Sequence, residues 1–223
     1  MTTSAQLESI YQNLLSAFGP RHWWPADTAE EVVIGAILTQ NVAWKNARKA
    51  MEALNQHRLL ALSAIHQTNT SDLAPLIRSS RFYHQKAGRL KNFTTLLFHQ
   101  FDGDLDALFG LDMAPLRRML LNLNGFGPET VDSILLYAAE KPIFVIDAYT
   151  RRIFERLGLA ETGWTYQAYQ TFFMSRLPQD VVLFNDYHAQ IVHLGNRICK
   201  KRQPLCAQCP LADQCSGPME SLP

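Results

Sequence analysis

The sequence predicts an all-α fold, on three observations. Apolar residues recur at helical spacing along most of the chain: Leu7, Ile10, Tyr11 and Leu14; Ala47, Ala50, Met51 and Leu54; Leu116, Met119, Leu120 and Leu123; Val131, Ile134, Leu135 and Ala138. No segment alternates apolar and polar residues convincingly, as a half-buried strand would. No internal repeat or low-complexity linker interrupts the pattern. At 223 residues, 47% apolar and 18% charged, the chain can bury a substantial core as one large or two modest domains, and disorder is excluded.

Taken in order, residues 6–17 read as an amphipathic helix closed by Gly19-Pro20. Trp23-Trp24-Pro25 follows, two indoles in a loop that must either plug a core or bind something. Asp27 or Thr28 can cap the next helix, with Glu30 and Glu31 well placed in its first turn. Residues 31–38 are apolar on most sides and predict a buried helix. It runs into Thr39-Gln40-Asn41-Val42-Ala43-Trp44, a polar lip with one flat ring. A further helix opens near Phe82-Tyr83, with Leu90, Phe93 and Leu97 inside. Beyond the centre, residues 165–176 and 181–198 predict two more helices.

The centre carries the chemistry. Two apolar stripes flank Asn124-Gly125-Phe126-Gly127-Pro128, where glycines permit a tight turn and Pro128 suits the first position of a helix. Such a helix–hairpin–helix offers backbone N–H groups at a helix N-terminus, a phosphate cradle. The short apolar run 143–146 then ends in one carboxylate, Asp147. An acid held by apolar packing beside a phosphate-gripping turn is what bond cleavage in bound DNA requires. The plain alternatives are a structural hairpin and a helix-capping aspartate.

Residues 123–138 (LNGFGPETVDSILLYA) followed by 145–158 (VIDAYTRRIFERLG) resemble the core of the helix–hairpin–helix DNA glycosylases, in particular the endonuclease III branch. The resemblance covers nearly the whole chain. It implies two lobes with the DNA groove between them: a six-helix barrel over residues 27–139, and a second lobe joining residues 1–26 and 140–223. Asp147 takes the place of the family's catalytic aspartate. In residues 35–41 (GAILTQN), Gln40 matches the glutamine that enters the duplex beside an extruded nucleotide, with Asn41 next to it. Phe82 matches the apolar wedge that enters the DNA stack, although Arg81 stands where the family has glycine. Gly125, Phe126 and Gly127, together with Lys86, complete the expected DNA contacts on this part of the chain.

All four cysteines fall within one short stretch, Cys199-x6-Cys206-x2-Cys209-x5-Cys215. Four thiolates can close one metal site; zinc is one candidate, although zinc ribbons use two separated C-x2-C pairs. Four cysteine ligands also suit a [4Fe–4S] cluster, and the resemblance implies that cofactor, because the spacing matches the family's cluster loop at every gap. The loop would hold Lys200, Lys201 and Arg202 toward phosphates.

Net charge is +1, so composition alone announces no nucleic-acid binder; the distribution says more. Residues 73–101 contain no acid but carry Arg78, Arg81, Lys86, Arg89 and Lys91. Residues 187–212 are also free of acid, and acids gather instead at Asp102, Asp104, Asp106 and Asp112. One basic face is compatible with DNA, and solvated helix faces are the bland alternative. No secretory signal opens the chain and no apolar run approaches membrane-spanning length. The expectation is an intracellular, cytoplasmic and nucleoid-associated protein, acting as a monomer on double-stranded DNA with a damaged base.

Bifunctional members place a lysine nucleophile in G-x-G-x-K-T; here Glu129 holds that position, and a carboxylate cannot form a Schiff base. A glycosylase without lyase activity is therefore expected. Trp24-Pro25, residues 35–44 and residues 82–90 look most like the 3-methyladenine glycosylases of this branch, in which two aromatic rings sandwich the base. Trp24 and Trp44 match those rings, and electron-rich indoles suit a cationic alkylated purine. Glu129 adds negative potential near such a pocket. A lysine on a late helix of one relative, which lacks the cysteine loop, is matched by Gln190. Two other readings stay open: a glycosylase for mismatched thymine, uracil or an oxidised pyrimidine, and a non-catalytic redox-sensing DNA binder.

Overall fold

The computed structural model describes residues 3–21 and 23–216, and among them it contains helices and no strand. The α-helices are α1 (Thr3–Phe18), α2 (Ala29–Thr39), α3 (Trp44–Gln56), α4 (Leu62–Gln67), α5 (Thr70–Leu76), α6 (Tyr83–Phe101), α7 (Leu105–Phe109), α8 (Met113–Leu121), α9 (Pro128–Tyr137), α10 (Ala148–Arg156), α11 (Tyr166–Met174) and α12 (Val181–Arg197). The chain divides into two compact units, Trp24–Lys141 and Met1–Trp23 with Pro142–Pro223. No helix among the described residues is long and apolar enough to cross a membrane.

In the Trp24–Lys141 unit α2 is the spine. Every residue from Val32 to Leu38 is buried, and α3, α6 and α9 pack around it. Of the two cap candidates Thr28 does the work, accepting the Glu31 N–H at 3.2 Å, while the Glu31 carboxylate reaches back to the Asp27 N–H at 2.9 Å. This reciprocal arrangement satisfies two N-terminal donors at once. Helices α4, α5 and α7 have no clear sequence signal, because segments of five to seven residues are too short to show a full apolar period. The acids after α6 prove to be turn chemistry: Asp102 ends α6 at φ +52° and Asp104 caps α7 through the Ala107 N–H at 3.0 Å.

The other unit joins α1 to α10, α11 and α12. Leu7, Ile10 and Leu14 form the buried stripe of α1, which packs on α12; the buried Tyr187 hydroxyl donates to the Leu7 carbonyl at 2.8 Å. Phe144, Phe154, Phe173 and Phe184 make an aromatic core in which Phe144 stacks on Phe173 at 4.1 Å. Each such ring stabilises by about 1.5–3 kcal/mol on burial. Gly195 lets α10 and α12 approach closely: a Cβ there would lie 2.5 Å from the Tyr149 ring.

Candidate functional site

The hairpin closes as its glycines require. Gly125 sits at φ +86°, and a Cβ on it would meet Arg89 Nε at 2.3 Å. Gly125 and Gly127 are exposed, but Phe126 turns inward, 6% exposed, above Phe93. Its N–H donates to the Leu123 carbonyl at 3.1 Å, so Phe126 anchors the hairpin from inside. Helix α9 starts with Pro128 in its first turn and has no side-chain cap. That leaves its N-terminus open to an anion. Arg117 on α8 grips the fully buried Asp132 on α9 through two hydrogen bonds of 2.7 and 3.1 Å, which locks the two helices together.

Gln40 lies at the C-terminal end of α2 with its amide on this hairpin. Nε2 donates to the Gly125 carbonyl at 3.1 Å and to Thr130 Oγ1 at 2.8 Å, and Oε1 accepts from the Arg89 guanidinium. A residue expected to probe the duplex is thus docked against the hairpin turn. Asn41 beside it is exposed at φ +54°. Arg89 and Thr130 complete this network, and sequence reasoning missed both as site residues; only Arg89's place in the acid-free run pointed to it.

Phe82 is 58% exposed and begins α6 in a left-handed conformation. Arg81 before it takes φ +55° and ψ +165°, a region essentially reserved for glycine that costs a side chain about 1–3 kcal/mol. The glycine usual at this place has its physical reason here. Lys86 requires a correction. Its side chain is fully buried, and Nζ donates to the Leu38 carbonyl at 2.8 Å and the Ser80 carbonyl at 2.5 Å. Burial and the nearby Arg89 charge push its pKa down to about 8. It braces the turn before Phe82 to the end of α2, with its ammonium spent on two carbonyls inside the protein. Lys91 is likewise occupied, donating to the carbonyls of Ile65, His66 and Thr68.

The aromatic pair also differs from expectation. Trp24 and Trp44 meet, but edge to face at 5.1 Å and 84°, and Tyr137 closes on Trp24 at 5.3 Å. Trp24 lies over Gly35, where a Cβ would be 3.2 Å from its Nε1. There is no slot between parallel rings; the three residues form an aromatic corner with Trp24 as its packed floor. Pro25 and Glu129 are exposed.

Asp147 is both a cap and something more. Its Oδ1 accepts the Thr150 N–H at 2.7 Å and the Thr150 hydroxyl at 2.9 Å, which starts α10. Its Oδ2 lies 3.7 Å from Nε2 of His188, and the two side chains are 12% and 7% exposed. Burial lowers the His188 pKa, while the Asp147 charge opposes that shift. A fixed carboxylate backed by a buried imidazole results. His188, forty-one positions away in sequence, carried no local signal. Gln190, two residues on, is buried and structural, its amide donating to the Gly19 carbonyl at 2.7 Å and to Asp186 at 3.2 Å.

The cysteine loop wraps onto the C-terminal half of α10. Arg152 donates to the Cys199 and Gly195 carbonyls at 2.9 and 2.8 Å. Arg156 donates to Cys199 Sγ at 3.2 Å and to the Lys200 and Lys201 carbonyls, which leaves the side chains of Lys200, Lys201 and Arg202 exposed. Burial raises the Cys209 thiol, and the Cys199, Cys215 and Cys206 side chains add to the rise. Among the described residues no three His, Cys, Asp or Glu side chains close on a single-ion position. What fits a cluster is the donor set: four cysteine sulfurs with no competing oxygen or nitrogen ligand, one of them already receiving an arginine hydrogen bond suited to a thiolate.

Comparison with known proteins identifies the family and the fold. Residues 34–179 match the model of the HhH-GPD superfamily of base excision DNA repair proteins. A Methanocaldococcus jannaschii protein, provisionally named as a DNA repair glycosylase, is 42% identical over 92% of this chain and 94% of its own. Endonuclease III of Thermotoga maritima is 29% identical over 94% and 92%. Among solved structures, Helicobacter pylori 3-methyladenine DNA glycosylase (MagIII) bound to 1,N6-ethenoadenine superposes with a TM-score of 0.76 at 26% identity, over 88% of this chain and 98% of that one. A trapped endonuclease III–DNA complex gives 0.82 at 20% identity over 97% of both, which is a likeness of fold. This chain belongs to the HhH-GPD superfamily of base excision DNA repair proteins, on its endonuclease III branch.

Proposed function

We propose that the protein is a monofunctional DNA glycosylase that removes an alkylated purine of the 3-methyladenine type and leaves an intact abasic site. The observation that carries the reading is Glu129 in the first turn of α9, a carboxylate where a lyase needs an amine. The open start of α9 holds a phosphate of the damaged strand. Phe82 enters the stack, Gln40 leaves its place on the hairpin to fill the gap, and the flipped base meets the aromatic corner of Trp24, Trp44 and Tyr137. An alkylpurine is cationic, so an indole face attracts it by about 0.5–2 kcal/mol. Asp147 then acts on the sugar. The N-glycosidic bond breaks with its electron pair leaving on the base, which neutralises the base's positive charge. The carboxylate stabilises the oxocarbenium-like sugar and orients the water whose oxygen bonds to C1′. The proton shed by that water passes to solvent by way of Asp147.

Cys199, Cys206, Cys209 and Cys215 hold a [4Fe–4S] cluster in this reading, and the cluster shapes the loop that presents Lys200, Lys201 and Arg202 to phosphate. A panel of duplexes, each with one lesion, tests the function: base release with strand cleavage only after alkali is expected for alkylpurines. Release of thymine or uracil from mismatches in preference would replace the substrate reading. Borohydride trapping of the wild-type protein on DNA would overturn the monofunctional one, and Glu129→Lys is expected to gain trapping. Replacing Trp44 with Ala is expected to reduce alkylpurine release far more than affinity for an abasic-site analogue. Parallel losses in a variant destabilised by about 3–5 kcal/mol would show instead that Trp44 is a core plug.

A further inference from the structure

We propose that Arg81 is a duplex anchor of this chain, its guanidinium gripping a DNA phosphate beside the point where Phe82 enters the stack. The inference rests on the wedge reading of Phe82. It begins from a conflict: Arg81 holds φ +55° and ψ +165°, where only glycine is at ease, and Phe82 follows at φ +42°. Two successive left-handed residues do not relax here because the turn is held from both sides. Lys86 Nζ takes the Ser80 carbonyl and the Lys86 N–H takes the Phe82 carbonyl. The Arg81 N–H is tied to the Arg78 carbonyl at 3.3 Å. Such a turn presents its side chains in one fixed direction.

The second observation is what the neighbouring cations do. In the acid-free run 73–101, Lys86 is buried on two carbonyls, Lys91 caps α4, Arg89 is bonded to Gln40, and Arg78 lies over the Tyr83 ring at 5.8 Å. Arg81 alone of the five has an exposed guanidinium with no hydrogen bond, ion pair or ring contact among the described residues. It stands next to Phe82, whose ring is 58% exposed. An apolar ring for the base stack and a planar fork of donors for a phosphate are side by side on a rigid turn. Glycine would remove the strain and the charge together.

That pairing makes Arg81→Gly a two-sided test on the full-length protein. Melting is expected about 2 °C or more higher, as the strain is lost. Affinity for a lesion duplex is expected to fall about 5- to 10-fold at about 0.1 M salt, and the slope of log affinity against log salt to lessen by about 0.9, one phosphate contact. Phe82→Ala, run beside it, is expected to lower lesion affinity with the salt slope unchanged. If Arg81→Gly leaves affinity and slope unchanged while Phe82→Ala weakens binding, the anchor is overturned and the wedge stands. If both variants bind like the wild type, the wedge reading falls and the anchor with it. A lower slope without a gain in melting temperature overturns the strained-turn argument.

Discussion

Two helix N-termini in this protein are built in opposite ways. Helix α9 begins at Gly127-Pro128 with no side-chain cap hydrogen bond, whereas α10 begins with the Asp147 carboxylate already bonded to the Thr150 N–H and hydroxyl. Both ends carry the same positive partial charge from their unpaired N–H groups. The open end can receive an anion from outside. The closed end holds a carboxylate of its own, fixed in position by those two bonds. In the proposed reaction, gripping DNA and stabilising positive charge on a sugar make those two opposite uses of one backbone feature.

The sharpest way to break this comparison is Asp147→Asn. Asparagine caps as well as aspartate, so melting should change little while single-turnover base release falls by about 10²–10³ or more. A variant that retains its rate would reduce Asp147 to a cap. Asp147→Ala should lose about 0.5–2 kcal/mol of stability besides. At the open end, Gly125→Ala places a Cβ against Arg89 at φ +86°. It is expected to cost about 1–3 kcal/mol, seen in denaturant melts, and to weaken binding to all duplexes alike. Glu129→Gln removes the acid from the first turn of α9, with an expected cost of about 0.3–1 kcal/mol in stability. Duplex affinity should rise in titrations at low salt, because one charge no longer repels phosphate.

The gentlest effect concerns pH. Burial lowers the His188 pKa below the ordinary value of about 6.5. On acidification the unfolded chain therefore binds the proton first. Stability present above about pH 6.5 is lost as pH falls toward the folded-state pKa. His66 and His193 are lowered too, so the readout is the difference between wild type and His188→Gln, whose acid-side loss should be shallower. Equal pH slopes would show that His188 is not held neutral behind Asp147.

Much of the fold was legible in order, from the apolar stripes of α1, α3, α8 and α9 to a cap at Asp27 or Thr28 and the turn at Gly125, because those signals are local. The short helices α4, α5 and α7 were not, since a helix of one or two turns is set by what it packs against. The basic run shows the limit most clearly. Five cations between residues 73 and 101 read as one face, but Lys86 and Lys91 serve buried and part-buried carbonyls and Arg89 organises the hairpin.

By itself the sequence determined the all-helical class, the hairpin with its glycines, the carboxylate at 147, the acid in place of an amine at 129 and the four clustered cysteines. These are matters of residue type and short-range spacing. Tertiary structure alone decided that Phe126 points inward, that Trp24 and Trp44 meet edge to face, that Gln40 rests on Gly125 and Thr130, and that His188 backs Asp147. Each of those depends on contacts between segments far apart in the chain, and periodicity within a single helix carries no record of its distant neighbours.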